Sequence, residues 1–134
     1  MRLVIDANVI FSALIKDSLS AELIFREEFE LYAPEFLLEE LVRYKETILK
    51  KTSRSEEDFI KTVGMLSRII TLIPQAEYSS FIARARFICP DRKDIAYIAL
   101  ASRLGCGIWS NDKALKQQKG VRIYFTSELK GLID

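Results

Sequence analysis

The alternation of short apolar runs with helical stretches limits the fold of this chain more than any other feature. Leu3-Val4-Ile5 is a β-branched run that stops at Asp6, and Val9 to Ile15 then continues long enough to read as a buried helix. A helical stretch from Ser20 to Glu28 precedes a second strand at Leu31-Tyr32, and Ala33-Pro34-Glu35 opens a long helix with proline in its tolerated first turn. In that helix Leu37, Leu41, Tyr44 and Ile48 form one apolar stripe. Lys50 to Ser55 is a basic turn, and Ser55-Glu56-Glu57-Asp58 has the order of a capping box, starting a helix that runs to about Ile70. Leu72-Ile73 reads as a third strand ended by Pro74, followed by helices over 78–87 and, after Pro90, over 91–104. Ile108-Trp109 is a fourth strand reaching Ser110-Asn111-Asp112. A short helix, a fifth strand over 121–125 and a C-terminal helix complete the chain. Strands alternating with helices predict an α/β three-layer sandwich around a central, mainly parallel sheet of about five short strands.

At 134 residues the chain is expected to form a single domain over 1–134, and 49% hydrophobic residues supply enough apolar surface for a core. Twenty basic against nineteen acidic residues leave a net charge of +1, which excludes a polybasic tail and leaves any phosphate recognition to local clusters. No apolar run reaches the ~18 residues needed to cross a bilayer, and Asp6 interrupts the N-terminus too early for a signal-peptide core. A cytoplasmic location without membrane contact is therefore expected. Cys89 and Cys106 lie outside any CxxC pattern and read as buried, reduced thiols, with a disulfide between them as the alternative, rather than as zinc ligands. The histidine count is zero, which removes Ser-His-Asp and Cys-His nucleophiles, HExxH metalloproteases and most catalytic zinc sites. Any catalysis must rest on carboxylates.

In open parallel sheets ligands bind beyond the carboxyl ends of the strands, where the strand order reverses. Asp6 ends the first strand and Asp112 follows the fourth. Asp91 and Asp94, spaced i and i+3, fall on the first turn of one predicted helix and face the same way. At about 100° per residue, Glu40 lies about 70° from the centre of the Leu37 stripe and Glu39 about 170°, so Glu40 borders the packed face and Glu39 points to solvent. Each aspartate also suits a helix cap, and Glu40 suits a solvated helix face. If the acids converge, each pair at ~4 Å repels by about 4 kcal/mol at an effective dielectric near 20, so the cluster needs a cation or raised pKa values. Oxygen ligands alone favour Mg²⁺ or Mn²⁺, which support phosphoryl displacement by water.

The order of motifs resembles the PIN-domain family of metal-dependent ribonucleases, in particular the small prokaryotic toxins called VapC. The matching pieces are Asp6-Ala7-Asn8-Val9, Glu39-Glu40-Leu41, Asp91-Arg92-Lys93-Asp94-Ile95-Ala96-Tyr97-Ile98-Ala99-Leu100-Ala101 and Ser110-Asn111-Asp112, in sequence over the whole chain. The resemblance implies a PIN-like sandwich with an acidic pocket for Mg²⁺ or Mn²⁺ and hydrolysis of RNA. By position, Asp6, Glu40, Asp94 and Asp112 would be the catalytic and metal-holding acids, Asp91 an additional metal ligand, and Asn8 and Ser110 the small polar residues that orient them. It also implies an RNA substrate, an antitoxin protein as partner and a homodimer.

Two other small α/β folds fit poorly. A phosphoacceptor receiver domain wants adjacent acids after the first strand and an aspartate ending the third, where this chain has Asp6-Ala7-Asn8 and Pro74-Gln75; a haloacid-dehalogenase-type phosphatase needs an acid where Asn8 stands. A PIN-like fold that only binds RNA or protein, without catalysis, is the closer rival. RNA near acids must be held by cations, and Lys45, Lys50, Lys51, Arg54, Arg92, Lys93 and Lys113 are the expected set. Phe11, Leu14, Phe25 and Phe29 can form either core or interface, and the core is the favoured expectation.

Overall fold

The computed structural model describes residues 1–15, 19–89 and 91–134. Five strands, β1 (Arg2–Ile5), β2 (Glu30–Pro34), β3 (Ile70–Ile73), β4 (Gly107–Trp109) and β5 (Ile123–Tyr124), form a sheet in the order β3-β2-β1-β4-β5. Every neighbouring pair is parallel, with Leu3 opposite Leu31 on one side and opposite Gly107 on the other. Leu3, Val4 and Ile5 are fully buried. Successive strand residues point to opposite faces, so burial of all three means that helices cover both faces of β1.

The helices are α1 (Ala7–Ile15), α2 (Leu19–Ile24), α3 (Leu37–Arg43), α4 (Lys45–Lys51), α5 (Glu56–Ile69), α6 (Ile82–Ile88), α7 (Ile95–Leu104), α8 (Lys113–Lys116) and α9 (Thr126–Ile133). In α7 the five consecutive residues Tyr97 to Ala101 are all buried, more than a full turn, so this helix is enclosed all round where it packs on β1, β2 and β4. α1 packs against α2, α3 and α4. The chain leaves β1 for β2 and β3, then crosses back to β4 on the other side of β1. The strand order therefore reverses between β1 and β4, and the crevice beyond their carboxyl ends is where this architecture places ligands.

Several local expectations shift. The second helix ends at Ile24 rather than Glu28, because the chain turns through Arg26 N–H to Leu23 C=O and the Arg26 guanidinium closes onto the Glu28 carboxylate. Phe25 is consequently 46% exposed, not core, while Leu14 and Phe29 are buried and Phe11 is half-buried. The long third helix divides at Tyr44 (φ −93°, ψ 7°) into α3 and α4, and the Tyr44 ring leaves the apolar stripe to stand edge-on to Phe11 at 5.1 Å. A 3₁₀ turn at Ser79–Phe81, preceded by another at Gln75–Glu77, replaces the start of the helix expected from 78. A third, Arg92–Asp94, replaces the first turn of the helix expected from 91, and Pro90 lies outside the described residues. The fifth strand is limited to Ile123–Tyr124. Ser55 caps α5 as expected, accepting the Asp58 N–H at 3.0 Å. Both cysteines are free, Cys89 buried and Cys106 half-buried.

Two contacts have measurable consequences. A Cβ on Gly107 would lie 2.6 Å from the Tyr124 ring and 2.9 Å from the Arg122 carbonyl oxygen, so β4 and β5 approach as closely as they do only because residue 107 has no side chain. Gly107→Ala should lower stability by about 1–3 kcal/mol in urea unfolding. Arg54 was expected to hold RNA, but its Nε donates to the Leu14 carbonyl at 3.0 Å and its Nη1 to Asp58 at 2.7 Å, tying the end of α1 to α5. Arg54→Gln should cost about 1–2 kcal/mol of stability by the same measurement. Lys50 and Lys51 remain exposed at the hairpin tip, whereas Lys45 is paired with Glu56.

Candidate active site

Beyond the carboxyl ends of β1 and β4, a cleft of about 340 Å³ opens between α1, α3 and the start of α7. Asp6, Glu40 and Asp94 line it, with Arg43 and Lys93 beside them and Tyr97 and Phe11 in its wall. A hollow of about 400 Å³ lies at the opposite end of the sheet, against the starts of β2 and β3 at Glu30 and Thr71, away from the strand-order reversal.

Asp6 is positioned by both strands. Its N–H donates to the Trp109 carbonyl at 3.0 Å, which carries the β1–β4 pairing one residue past β1. One carboxylate oxygen accepts the Asn8 N–H at 3.3 Å, capping α1, and the other accepts the Ser110 hydroxyl at 2.7 Å. Burial raises its pKa, opposed by the Ser110 and Asn8 hydrogen bonds and reinforced by the charge of Asp112. Asp6 is thus a cap and a cleft acid at once.

The Ser110 hydroxyl, having donated to Asp6, accepts the Asp112 N–H at 3.1 Å, and so couples the two loops. Asp112 caps α8 by accepting the N–H groups of Ala114 (2.9 Å) and Leu115 (3.3 Å). It stands outside the cleft lining, but its charge raises the pKa of both Asp6 and Asp94. A second network holds this loop from below. Thr126 Oγ1 accepts from Trp109 Nε1 and Asn111 Nδ2, each at 2.9 Å, leaving its own proton to donate to Ser20 Oγ at 3.1 Å.

Asp91 and Asp94 do not face the same way. Because residues 92–94 form a 3₁₀ turn, Asp91 sits outside it as an exposed cap, accepting the Lys93 N–H at 3.2 Å, while Asp94 turns inward and is only 7% exposed. Asp91 is not among the residues lining the cleft. The Asp94 carboxylate accepts no hydrogen bond from the described residues, and burial, with the charges of Asp6 and Asp91 next, pushes its pKa to about 6. Glu40 is half-buried in the cleft and Glu39 is exposed. Burial raises the Glu40 pKa, Asp6 adds to the effect and Arg43 opposes it.

Sequence reasoning overlooked Arg43 and Tyr97. Each lies three residues after a cleft acid, Glu40 and Asp94 respectively, and that helical spacing was the available signal.

As placed, no three Asp, Glu or Cys side chains among the described residues come close enough to hold one ion, so the acids share a cleft without forming a closed cage. The donor set nevertheless fits a hard cation. It consists of carboxylate oxygens, and Asp94 is a buried acid that accepts no hydrogen bond from the described residues and has only the Lys93 charge to offset its own.

The profile of the PIN-domain family matches residues 4–131. The chain belongs to the PIN-domain family. The α/β sandwich and the family resemblance read from the sequence both stand, with the refinement that the sheet is wholly parallel. Among solved structures this PIN domain is similar to a chain of VapBC2 from Rickettsia felis, a structure bound to a DNA fragment from their promoter. The TM-score is 0.68 at 16% identity, over 93% of this chain and 98% of that one, a likeness of fold. No curated protein matches the sequence.

Proposed function

We propose that this PIN domain is a Mg²⁺- or Mn²⁺-dependent endoribonuclease that acts as the toxin of a toxin–antitoxin pair. The observation that carries the reading is Asp94: a buried carboxylate with no hydrogen-bond donor among the described residues, in one cleft with Asp6 and Glu40 at the strand-order reversal. Asp6, Glu40 and Asp94 would hold the cation, Asp112 would support it from behind Ser110, and Asp91 is a further acid outside the cleft. A divalent cation there supplies charge stabilisation at the phosphate and a lower pKa for an attacking water. Ser110 keeps Asp6 oriented through its hydroxyl. Arg43 and Lys93 place positive charge beside the acids, where an RNA phosphate must approach.

The test is incubation of the purified chain with RNA, with and without Mn²⁺. Cleavage that requires Mn²⁺ and stops with EDTA supports the reading, and Glu39→Gln should cleave like the parent because Glu39 lies outside the cleft. A second reading is a PIN domain that binds RNA or protein without cleaving, favoured by the spacing of the acids, no three of which among the described residues stand at ligand distance from one point. It predicts RNA retention with no Mn²⁺-dependent product.

For partners, the resemblance to a VapBC2 chain supports an antitoxin, and an amphipathic segment would find exposed apolar residues near the cleft at Val42 and Tyr44. A homodimer is proposed with it, and a monomeric mass by light scattering at tens of micromolar would count against that. No helix among the described residues is long and apolar enough to cross a membrane, and a cytoplasmic location is proposed.

A further inference from the structure

One polar atom in the cleft wall stands apart from the acids and their hydrogen bonds. The Tyr97 side chain is 3% exposed, and its hydroxyl is fully buried without a hydrogen-bond partner, the only such side-chain atom among the described residues. The Ala7 N–H lies near the hydroxyl oxygen, but no bond of normal geometry forms. Even a bond from Ala7 would occupy only a lone pair and leave the hydroxyl proton undonated. An orphaned hydroxyl of this kind is costly, and a phenylalanine would fill the same space without that penalty. The ring cannot readily turn away, because it is buried in α7 and packed edge-on against Phe36 at 5.9 Å.

The cleft offers three acceptors. Each oxygen of Asp6 already accepts one hydrogen bond, from Ser110 or from Asn8, and the lone pairs it keeps are the ones a cation would use. Glu40 and Asp94 accept no hydrogen bond from the described residues. Of the charges acting on the Tyr97 hydroxyl, that of Glu40 is the strongest. A buried donor without an acceptor and an acid without a donor thus face one cavity.

We infer that Tyr97 is a positioning residue whose hydroxyl donates to the Glu40 carboxylate and holds it toward Asp6 and Asp94 when a divalent cation occupies the cleft. Glu40 is the acid that most needs such help. It reaches the cleft on a longer, half-exposed side chain, whereas Asp6 is fixed by two hydrogen bonds and Asp94 by burial. Donors that orient metal-holding carboxylates in this way strengthen binding of the ion. The inference rests on the cation-binding reading, and the experiment separates the two.

The experiment is titration of Mn²⁺ into the parent, Tyr97→Phe, Glu40→Gln and the double variant, read by calorimetry and by the melting temperature without metal. Tyr97→Phe should weaken Mn²⁺ binding by about tenfold. Its metal-free melting temperature should be unchanged or raised, since the hydroxyl it loses had no partner. In the Glu40→Gln background the same substitution should change Mn²⁺ affinity by less than about twofold, because the acceptor charge is gone. A parent that does not bind Mn²⁺ overturns the cation site and this inference together. A parent that binds Mn²⁺ with a Tyr97→Phe affinity equal to its own overturns the inference alone, as does a full tenfold loss persisting in Glu40→Gln.

Discussion

Asp6→Asn should slow RNA cleavage by at least about two orders of magnitude and abolish the Mn²⁺-dependent rise in melting temperature, while leaving the metal-free fold at least as stable as the parent. The substitution is nearly isosteric, and asparagine caps helices well, so the bond from the Asn8 N–H to residue 6 survives. The Ser110 hydroxyl can still donate to the amide oxygen or accept from the amide nitrogen. What disappears is one negative charge from a group that also contains Glu40, Asp94 and Asp112, and losing it relieves repulsion in the metal-free protein. In the parent, Mn²⁺ at one hundred times its dissociation constant adds about 2.7 kcal/mol, which is on the order of 2–6 °C in melting temperature for a domain of this size. Thermal melts with and without millimolar Mn²⁺, and cleavage rates on one RNA, check both halves. Asp112→Asn should lose the Mn²⁺ response as well. Unchanged cleavage in both variants would assign the activity to a contaminating nuclease, and a melt indifferent to Mn²⁺ in the parent would leave Asp6 and Asp112 as helix caps.

The second large effect is a pH dependence centred on Asp94. In the unfolded chain its carboxyl ionises near 3.8, and in the fold near 6. At pH values below 3.8 the group is protonated in both states and imposes no penalty. Between the two values only the folded chain keeps the proton, so metal-free stability falls as pH rises, and above about 6 the whole penalty stands, about 3 kcal/mol. Asp6 and Glu40 are raised too and act in the same direction. Glu28, Glu56 and Glu128 are lowered by their partners and act oppositely, losing their contribution as pH falls through the acid range. The parent should therefore lose stability relative to Asp94→Asn between about pH 4 and pH 6.5. Protons compete with the cation for the same carboxylates, so the Mn²⁺-induced stabilisation should shrink as the pH drops below about 6. Chemical denaturation of both proteins across this range is the measurement. Parallel curves for parent and Asp94→Asn would return Asp94 to an ordinary carboxyl.

The distribution of hits and misses follows the range of the interactions involved. Burial of Leu3, Val4 and Ile5 on both faces is written into an unbroken apolar run, and Ser55 announces its cap through a local bond to Asp58. Where the outcome depended on distant partners, local pattern failed. Tyr44 belongs to the apolar stripe by spacing, yet its ring meets Phe11 from another helix. Arg54 belongs to a basic turn by composition, yet its guanidinium is used by a carbonyl forty residues earlier in the chain. Asp91 and Asp94 look equivalent at i and i+3, and the 3₁₀ turn between them sends one to solvent and the other inward.

By itself, then, the sequence determined the layer architecture and the acids from which a site can be built, because hydrophobic periodicity and the lack of histidine are properties of the chain alone. The tertiary structure decided which acids share a cleft. That depends on the reversal of strand order at β1 and β4, on Ser110 linking Asp6 to the Asp112 backbone, and on α7 packing tightly enough to bury Asp94 and strand the Tyr97 hydroxyl. Desolvation and the charge of neighbours arise only when segments distant in sequence close around a group, and they are what turn ordinary carboxylates into a site.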